Sequence, residues 1–341
     1  MPEQLKVGVI GAGNMGRNHI RNYYEMPETD LVAVADSNSE GEGQSLAEKH
    51  KAAFYIDYEQ MLDEACPAAV SIAVPTYLHH EIASKTLGRG IHTLVEKPIT
   101  HDETQAAELI EIARQKEAVL TVGHVERYNP VVLELKKMID RGDLGDIISI
   151  ISQRLGGFPQ QQPESDVVVD LAIHDIDILS FLMSREPEII GAHGTNTFHS
   201  SETDSAEILL RYGQASGFVQ ANWTTPIKIR QLTISGSKGY VTANYITQEI
   251  TSFEHMAIQP QDNFANFVRQ LGEPTKKTTS FEQDFQSEPL RRELGAFAMA
   301  AAGERPNYIV SPIEAVAALR TALQVAEHIK KARIKEIGNG S

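Results

Sequence analysis

Two short clusters in this 341-residue chain carry side chains that can move a proton or hold a charge. The first is Asp170, His174, Asp175 and Asp177 in VVVDLAIHDIDILSFL, a stretch whose apolar residues predict a mostly buried helix. Asp170 and His174 are i and i+4, so on a helix they share one face and can touch. A carboxylate beside an imidazole orients the ring and raises its basicity, the arrangement a general base requires. A satisfied core histidine with a capping aspartate fits the same spacing. Three carboxylates and one histidine on a single helix cannot all converge on one ion, so no metal is expected. The second cluster is Glu96-Lys97-Pro98, which closes a short apolar run. Lys97 then stands either on a surface loop or at the carboxyl edge of a parallel sheet, where ligands bind.

A third pattern names a ligand. In KVGVIGAGNMG the apolar run Val7, Val9, Ile10 leads into Gly11, Gly13 and Gly16, and Asn14 to Tyr24 reads as a helix. The first glycine permits a tight turn, the second lets the backbone approach a pyrophosphate, and the third lets the helix pack on its strand. Amide groups around Asn14 and Met15, at the positive end of the helix, would receive the phosphates. A second strand, Leu31 to Ala35, ends at Asp36, where an acidic residue accepts from the adenosine ribose hydroxyls. That carboxylate would repel a 2′-phosphate and no arginine follows it, so NAD is expected over NADP.

These residues need elements to position them. Apolar runs at Ala69 to Val74, His92 to Val95 and Val119 to Val122 alternate with helical stretches, and Asp102 caps one of them. Alternation of this kind implies a parallel sheet and an α/β fold class. The first domain is read as 1–123 and the second as 124–341. Beyond Gly123 several strands follow one another between Glu188 and Phe253, which predicts antiparallel pairing. The stretch Gly156 to Ser165, rich in glycine, proline and glutamine, reads as a loop able to fold over a substrate. With 31 basic against 46 acidic residues, a net charge of −15, a nucleic-acid partner is disfavoured. The single cysteine, Cys66, excludes an internal disulfide. Met1 to Gln4 has no basic leader character, and no run is long enough to span a membrane, so a cytoplasmic protein is expected.

KVGVIGAGNMG, PTYLHHEIASKTLGRGIHTLVEKPIT, ERYNPVVLELKKMIDRGDLGDI and DLAIHDID together resemble, in order and over nearly the whole chain, the blocks of the Gfo/Idh/MocA oxidoreductase family. The resemblance implies an N-terminal Rossmann domain, doubly wound around a parallel sheet, and a C-terminal α+β domain with a large open antiparallel sheet. It implies that Lys97 contacts substrate near the nicotinamide, that His174 is the acid/base, and that Asp170 binds substrate or orients the other two. Pro75, His79 and Glu96 become further cofactor positions. Within the family, GHVERYNPVV and VVVDLAIHDIDIL look most like the branch of UDP-N-acetylglucosamine 3-dehydrogenases. His124, Arg127, Asn129 and Arg154 could then contact a nucleotide-sugar substrate, while Arg127 could equally tie the two domains together. The implied reaction is hydride transfer between a sugar hydroxyl and nicotinamide. A dehydrogenase of free polyols or aldoses, an NAD-dependent glycosidase that oxidises C3 transiently, and a non-catalytic regulator are the other classes. A homodimer or homotetramer is implied as well.

Overall fold

β1 (Leu5–Ile10) lies inside a six-stranded parallel sheet, and its apolar Val7, Val9 and Ile10 are buried because the crossover helices of such a sheet cover its faces. The structure is a computed structural model, and it describes residues 4–158, 165–198, 202–254, 276–281 and 288–339. Most of the glutamine-rich loop, residues 159–164, therefore lies outside the described residues. Two units make up the chain: Met1–Tyr128 with Asp284–Arg320, and Asn129–Gln283 with Thr321–Ser341. Thus a segment late in the sequence belongs to the first unit.

In the first unit β2 (Thr29–Ala35), β3 (Ala53–Tyr55), β4 (Ala69–Ile72), β5 (His92–Glu96) and β6 (Leu120–Gly123) join β1 in the order β3-β2-β1-β4-β5-β6. All neighbours are parallel. The order reverses between β1 and β4, and the crevice past the strand ends at such a reversal is where doubly wound folds bind ligands. Helices α1 (Gly16–Glu25), α2 (Gly43–Lys49), α3 (Tyr58–Glu64), α4 (Thr76–Gly88) and α5 (Glu103–Gln115) form the crossovers. Asp57 and Asp102 cap α3 and α5 by accepting from backbone N–H groups, as the sequence predicts for Asp102. Further on, the helix after α5 is α6 (Pro130–Asp140), which opens the second unit.

The second unit is built on β7 (Ile147–Leu155), β8 (Glu188–Thr195), β9 (Ser205–Tyr212), β10 (Ala215–Asn222), β11 (Ile229–Gly236), β12 (Gly239–Asn244), β13 (Glu249–Glu254) and β14 (Lys276–Ser280). Their order is β14-β13-β12-β11-β7-β10-β9-β8. One pair departs from the antiparallel expectation: β7 and β10 run parallel. The cause is the helical crossover after β7, a π-turn (Val168–Ala172) continued by α7 (Ile173–Met183). It delivers β8 in the direction of β7, and two reversals then bring β10 back parallel. Along β7, Ile150, Ser152 and Arg154 point inward and are buried, alternating with an exposed Ile151.

The late segment returns to the first unit through α8 (Pro289–Ala301); the last helix is α9 (Pro312–Asn339). Leu290, Leu294, Phe297 and Ala298 form one stripe of α8 and enter the core with Val7, Val9, Ile20 and Tyr23. No helix among the described residues is long and apolar enough to cross a membrane. Phe297 is fully buried, so Phe297→Ala should cost about 3–5 kcal/mol in urea denaturation. A loss below about 1 kcal/mol would show that α8 is not part of this core.

Candidate active site

The glycine turn has the geometry its spacing predicts. Gly11 has φ +96°, and a Cβ there would lie 2.3 Å from the Ala73 carbonyl oxygen. A Cβ on Gly16 would lie 1.9 Å from the Gly11 carbonyl oxygen, so only glycine lets α1 sit this close to β1. Around Gly13 nothing falls within 4 Å, which leaves room for a ligand against bare backbone. At the N-terminus of α1, Met15 gives no side-chain cap and the first turn has no acid, so the end keeps its positive character for an anion. Asp36 receives the Ala12 N–H on Oδ2 at 2.6 Å and the Asn38 N–H on Oδ1 at 2.8 Å. Its remaining lone pairs suit a ribose diol. Gly11, Gly13, Asp36 and Pro75 line one cleft of about 360 Å³, with Ile56, Leu78 and Ile82 giving it apolar walls. These residues fit a dinucleotide: an open backbone for the pyrophosphate, a carboxylate for the ribose, and apolar surface for the adenine.

Glu96 and Lys97 stand at the carboxyl end of β5. The Glu96 side chain is buried, and burial pushes its carboxyl up. The hydrogen bond from His19 and the charges of His19 and Lys97 outweigh this and hold it below the usual carboxylate range. His19 Nε2 donates to Oε1 at 2.9 Å, and the Lys97 N–H donates to Oε2 at 3.3 Å. Sequence reasoning missed His19, although it falls with Gly16, Ile20 and Tyr23 on the buried stripe of α1. His79 is also buried, with Nδ1 2.8 Å from the Pro98 carbonyl oxygen and Nε2 2.9 Å from that of Val74.

Of the positions read as substrate contacts, His124 and Arg127 belong to the first unit. Both are buried; Arg127 donates from Nη1 to Glu314 at 2.9 Å and to the Tyr308 hydroxyl. Asn129, in the second unit, caps α6 by accepting the Val131 N–H on Oδ1. Arg154 reaches from β7 to Asp175, with Nε 2.7 Å from Oδ2 and Nη2 3.3 Å from Oδ1, while Ser152 Oγ donates to Oδ1 at 2.7 Å. The residue after His174 is thereby locked onto β7.

Asp170 lies in the π-turn and His174 in the first turn of α7, where the sequence predicts one regular helix. The β-branched run Val167 to Val169 disfavours a tight start, and Asp166 Oδ1 accepts from the Val168 and Val169 N–H groups at 3.0 and 3.1 Å. Burial raises the Asp166 carboxyl against the pull of those two amides. π-Turns of this kind occur frequently at functional sites. Asp175 and Asp177 are both buried, whereas Asp170 and His174 are partly exposed. No group of three His, Cys, Asp or Glu among the described residues could hold a metal ion.

Comparison with known proteins places two family domains on the chain. Residues 5–124 match the oxidoreductase family with an NAD-binding Rossmann fold, and residues 132–242 match the GFO/IDH/MocA C-terminal domain. The UDP-N-acetylglucosamine 3-dehydrogenase of Acidithiobacillus ferrooxidans is 31% identical over 227 residues, 67% of this chain and 68% of that protein. An inositol 2-dehydrogenase of Saccharopolyspora erythraea is 30% identical over 192 residues, 55% of this chain and 57% of that one. The solved structure of the Acidithiobacillus enzyme superposes with a TM-score of 0.82 at 24% identity, covering 96% of this chain and 99% of its own. A levoglucosan dehydrogenase in complex with NADH and levoglucosan gives 0.81 at 20% identity, covering 96% and 98%.

The three glycines should separate under substitution. Gly11→Ala and Gly16→Ala each press a methyl onto a carbonyl oxygen and should destabilise the cofactor-free protein by about 1–3 kcal/mol or more. Gly13→Ala should leave its stability within about 0.5 kcal/mol. It should nevertheless weaken NADH binding, followed by nicotinamide fluorescence, at least about tenfold, or 1.4 kcal/mol. A Gly13→Ala protein that binds NADH like wild type would show that the pyrophosphate lies elsewhere.

Proposed function

The chain belongs to the Gfo/Idh/MocA family and is an NAD-binding dehydrogenase of CH–OH groups; from that premise we propose that it oxidises the C3 hydroxyl of a nucleotide-linked amino sugar. Bound NAD⁺ supplies the hydride acceptor, C4 of its nicotinamide. His174 takes the hydroxyl proton, Asp170 orients the imidazole and the substrate, and the Lys97 ammonium donates to the reacting oxygen as charge develops on it. Asn14, Met15 and Gly16 offer the α1 amide end to the pyrophosphate, and Asp36 sets the preference for NAD over NADP.

The observation that carries this reading is the braced Glu96-Lys97 pair at the end of β5, in a chain that also has the Asp170/His174 turn. The nucleotide-sugar choice is supported by the likeness to a UDP-N-acetylglucosamine 3-dehydrogenase. Arg127 and Arg154 each hold a protein carboxylate, which favours a positioning role for them. For the diphosphate we propose the exposed Lys228 and the half-buried Arg230, whose Nη1 donates to the Leu155 carbonyl at 2.7 Å, next to Gly156 where the glutamine-rich loop starts. Likeness to an inositol 2-dehydrogenase supports a free cyclitol as the second reading.

Following NADH absorbance with UDP-N-acetylglucosamine, its uronic acid, myo-inositol and glucose, each with NAD⁺ and NADP⁺, tests the assignment. A 2-oxo acid is added to recycle tightly held NADH. Activity should appear with a nucleotide sugar and NAD⁺, and His174→Ala should lower it about 10²- to 10⁴-fold. Turnover confined to myo-inositol or glucose, or a tenfold preference for NADP⁺, overturns the corresponding part.

We propose a homo-oligomer as well. On the outer face of the second unit's sheet, Leu209, Phe218 and Ile151 stand opposite one another on β9, β10 and β7, with Leu209 42% and Ile151 41% exposed. This strip suits a second copy of the chain. Native mass spectrometry should give two or four times 37.6 kDa. A monomer at micromolar concentration counts against it.

A further inference from the structure

We propose that His79 is a positioning residue for Lys97, tying the turn that lines the cofactor cleft to the peptide that follows the lysine. The inference rests on the reading that Lys97 acts on the substrate. β4 ends at Ile72 and β5 at Glu96, so the carbonyls of Val74 and Pro98 lie beyond the last rungs of the parallel sheet. A carbonyl past a strand end, shielded from water wholly as at Pro98 or partly as at Val74, needs a new partner. His79, on α4, supplies one ring to both, at 2.9 and 2.8 Å, and is 1% exposed. A neutral imidazole donates its one N–H to one of the two carbonyls, and an imidazolium donates to both; the ring, packed between the two, sets their separation by contact as well as by hydrogen bond.

The two ends of this bridge are the parts that matter. Val74 and Pro75 line the cleft that fits the dinucleotide. Pro98 directly follows Lys97, and on the other side the Lys97 N–H is held by Glu96, itself held by His19. The lysine backbone is therefore pinned from both neighbours, and His79 refers one of those pins to the wall of the cofactor cleft. A leucine or phenylalanine would fill the same volume but bond neither carbonyl. With both ring nitrogens directed at backbone carbonyls, the effect of His79 on the cofactor passes through Val74 and Pro75.

A double-mutant cycle tests this. Turnover with whichever of UDP-N-acetylglucosamine or myo-inositol yields NADH is measured for wild type, His79→Phe, Lys97→Met and the double variant. NADH affinity is read separately by fluorescence. His79→Phe should lower kcat about 10- to 100-fold, the scale of a reacting group misplaced by about an ångström. NADH affinity should stay within about threefold, or 0.6 kcal/mol. In the Lys97→Met background the His79 change should cost nothing more, and His79→Gln, which keeps one donor, should recover part of kcat. If His79→Phe does not fold, His79→Gln and its double with Lys97→Met give the same comparison. Losses that multiply in the double variant, or a large loss of NADH affinity with kcat unchanged, overturn the proposal. If Lys97→Met itself leaves turnover intact, the catalytic reading of the lysine has failed, and the cycle shows that separately.

Discussion

A carboxylate is buried at the end of β5, and much of the first unit's chemistry is arranged around keeping Glu96 there. An ionised group in such a place is costly unless it is paired and hydrogen-bonded. His19 reaches it from α1, the Lys97 N–H reaches it from the next residue, and β6 leaves it space because position 123 is glycine. A Cβ on Gly123 would lie 2.9 Å from the carboxylate. The same contacts hold the Glu96 carboxyl below its usual range despite burial. One buried interaction thus links the helix that begins at the glycine turn to the strand end that carries Lys97.

The glycine turn shows how little of such a site is side chain. Gly11 and Gly16 are needed because carbonyl oxygens occupy the positions a methyl would take, whereas a methyl at Gly13 would meet nothing within 4 Å, leaving that backbone open. Asp36 is anchored by two backbone N–H groups before any ribose arrives, so its carboxylate is oriented in advance. Preorganisation of this kind lowers the entropy that binding would otherwise lose.

Most of the first unit was legible because its signals are local. Alternating apolar runs gave the parallel sheet, and Asp102 and the glycines marked ends and turns. What escaped depends on contacts far apart in sequence. The residues of α8 read as a helix, but nothing local names the core that it joins, with Glu288 at its start meeting Arg21 across 267 residues. The parallel β7–β10 pair follows from a crossover, not from either strand's composition. Arg127 and Arg154 read as substrate contacts, Arg127 equally as a structural tie, and spacing could not decide because their partners, Glu314 and Asp175, lie 187 and 21 residues away. The π-turn at Val168–Ala172 is legible only in hindsight, as a β-branched run after Asp166.

The residues proposed for catalysis share a physical setting that distinguishes them from ordinary polar surface. Lys97 and His174 are only partly buried, yet each adjoins a carboxylate that is almost fully buried, Glu96 before one and Asp175 after the other. Asp175 is met by Arg154 and Ser152, and Glu96 by His19. Replacing such buried pairs with apolar groups of the same shape is often neutral or stabilising, so stability alone gives little reason to retain them. Fixing the direction of the neighbouring side chain does, because a catalytic group must be held within about half an ångström by residues whose own positions are locked. The same constraint acts within each unit by itself. In the first it fixes a lysine at a strand end, and in the second it fixes a histidine just after a π-turn, two places where the backbone leaves regular geometry and would otherwise wander.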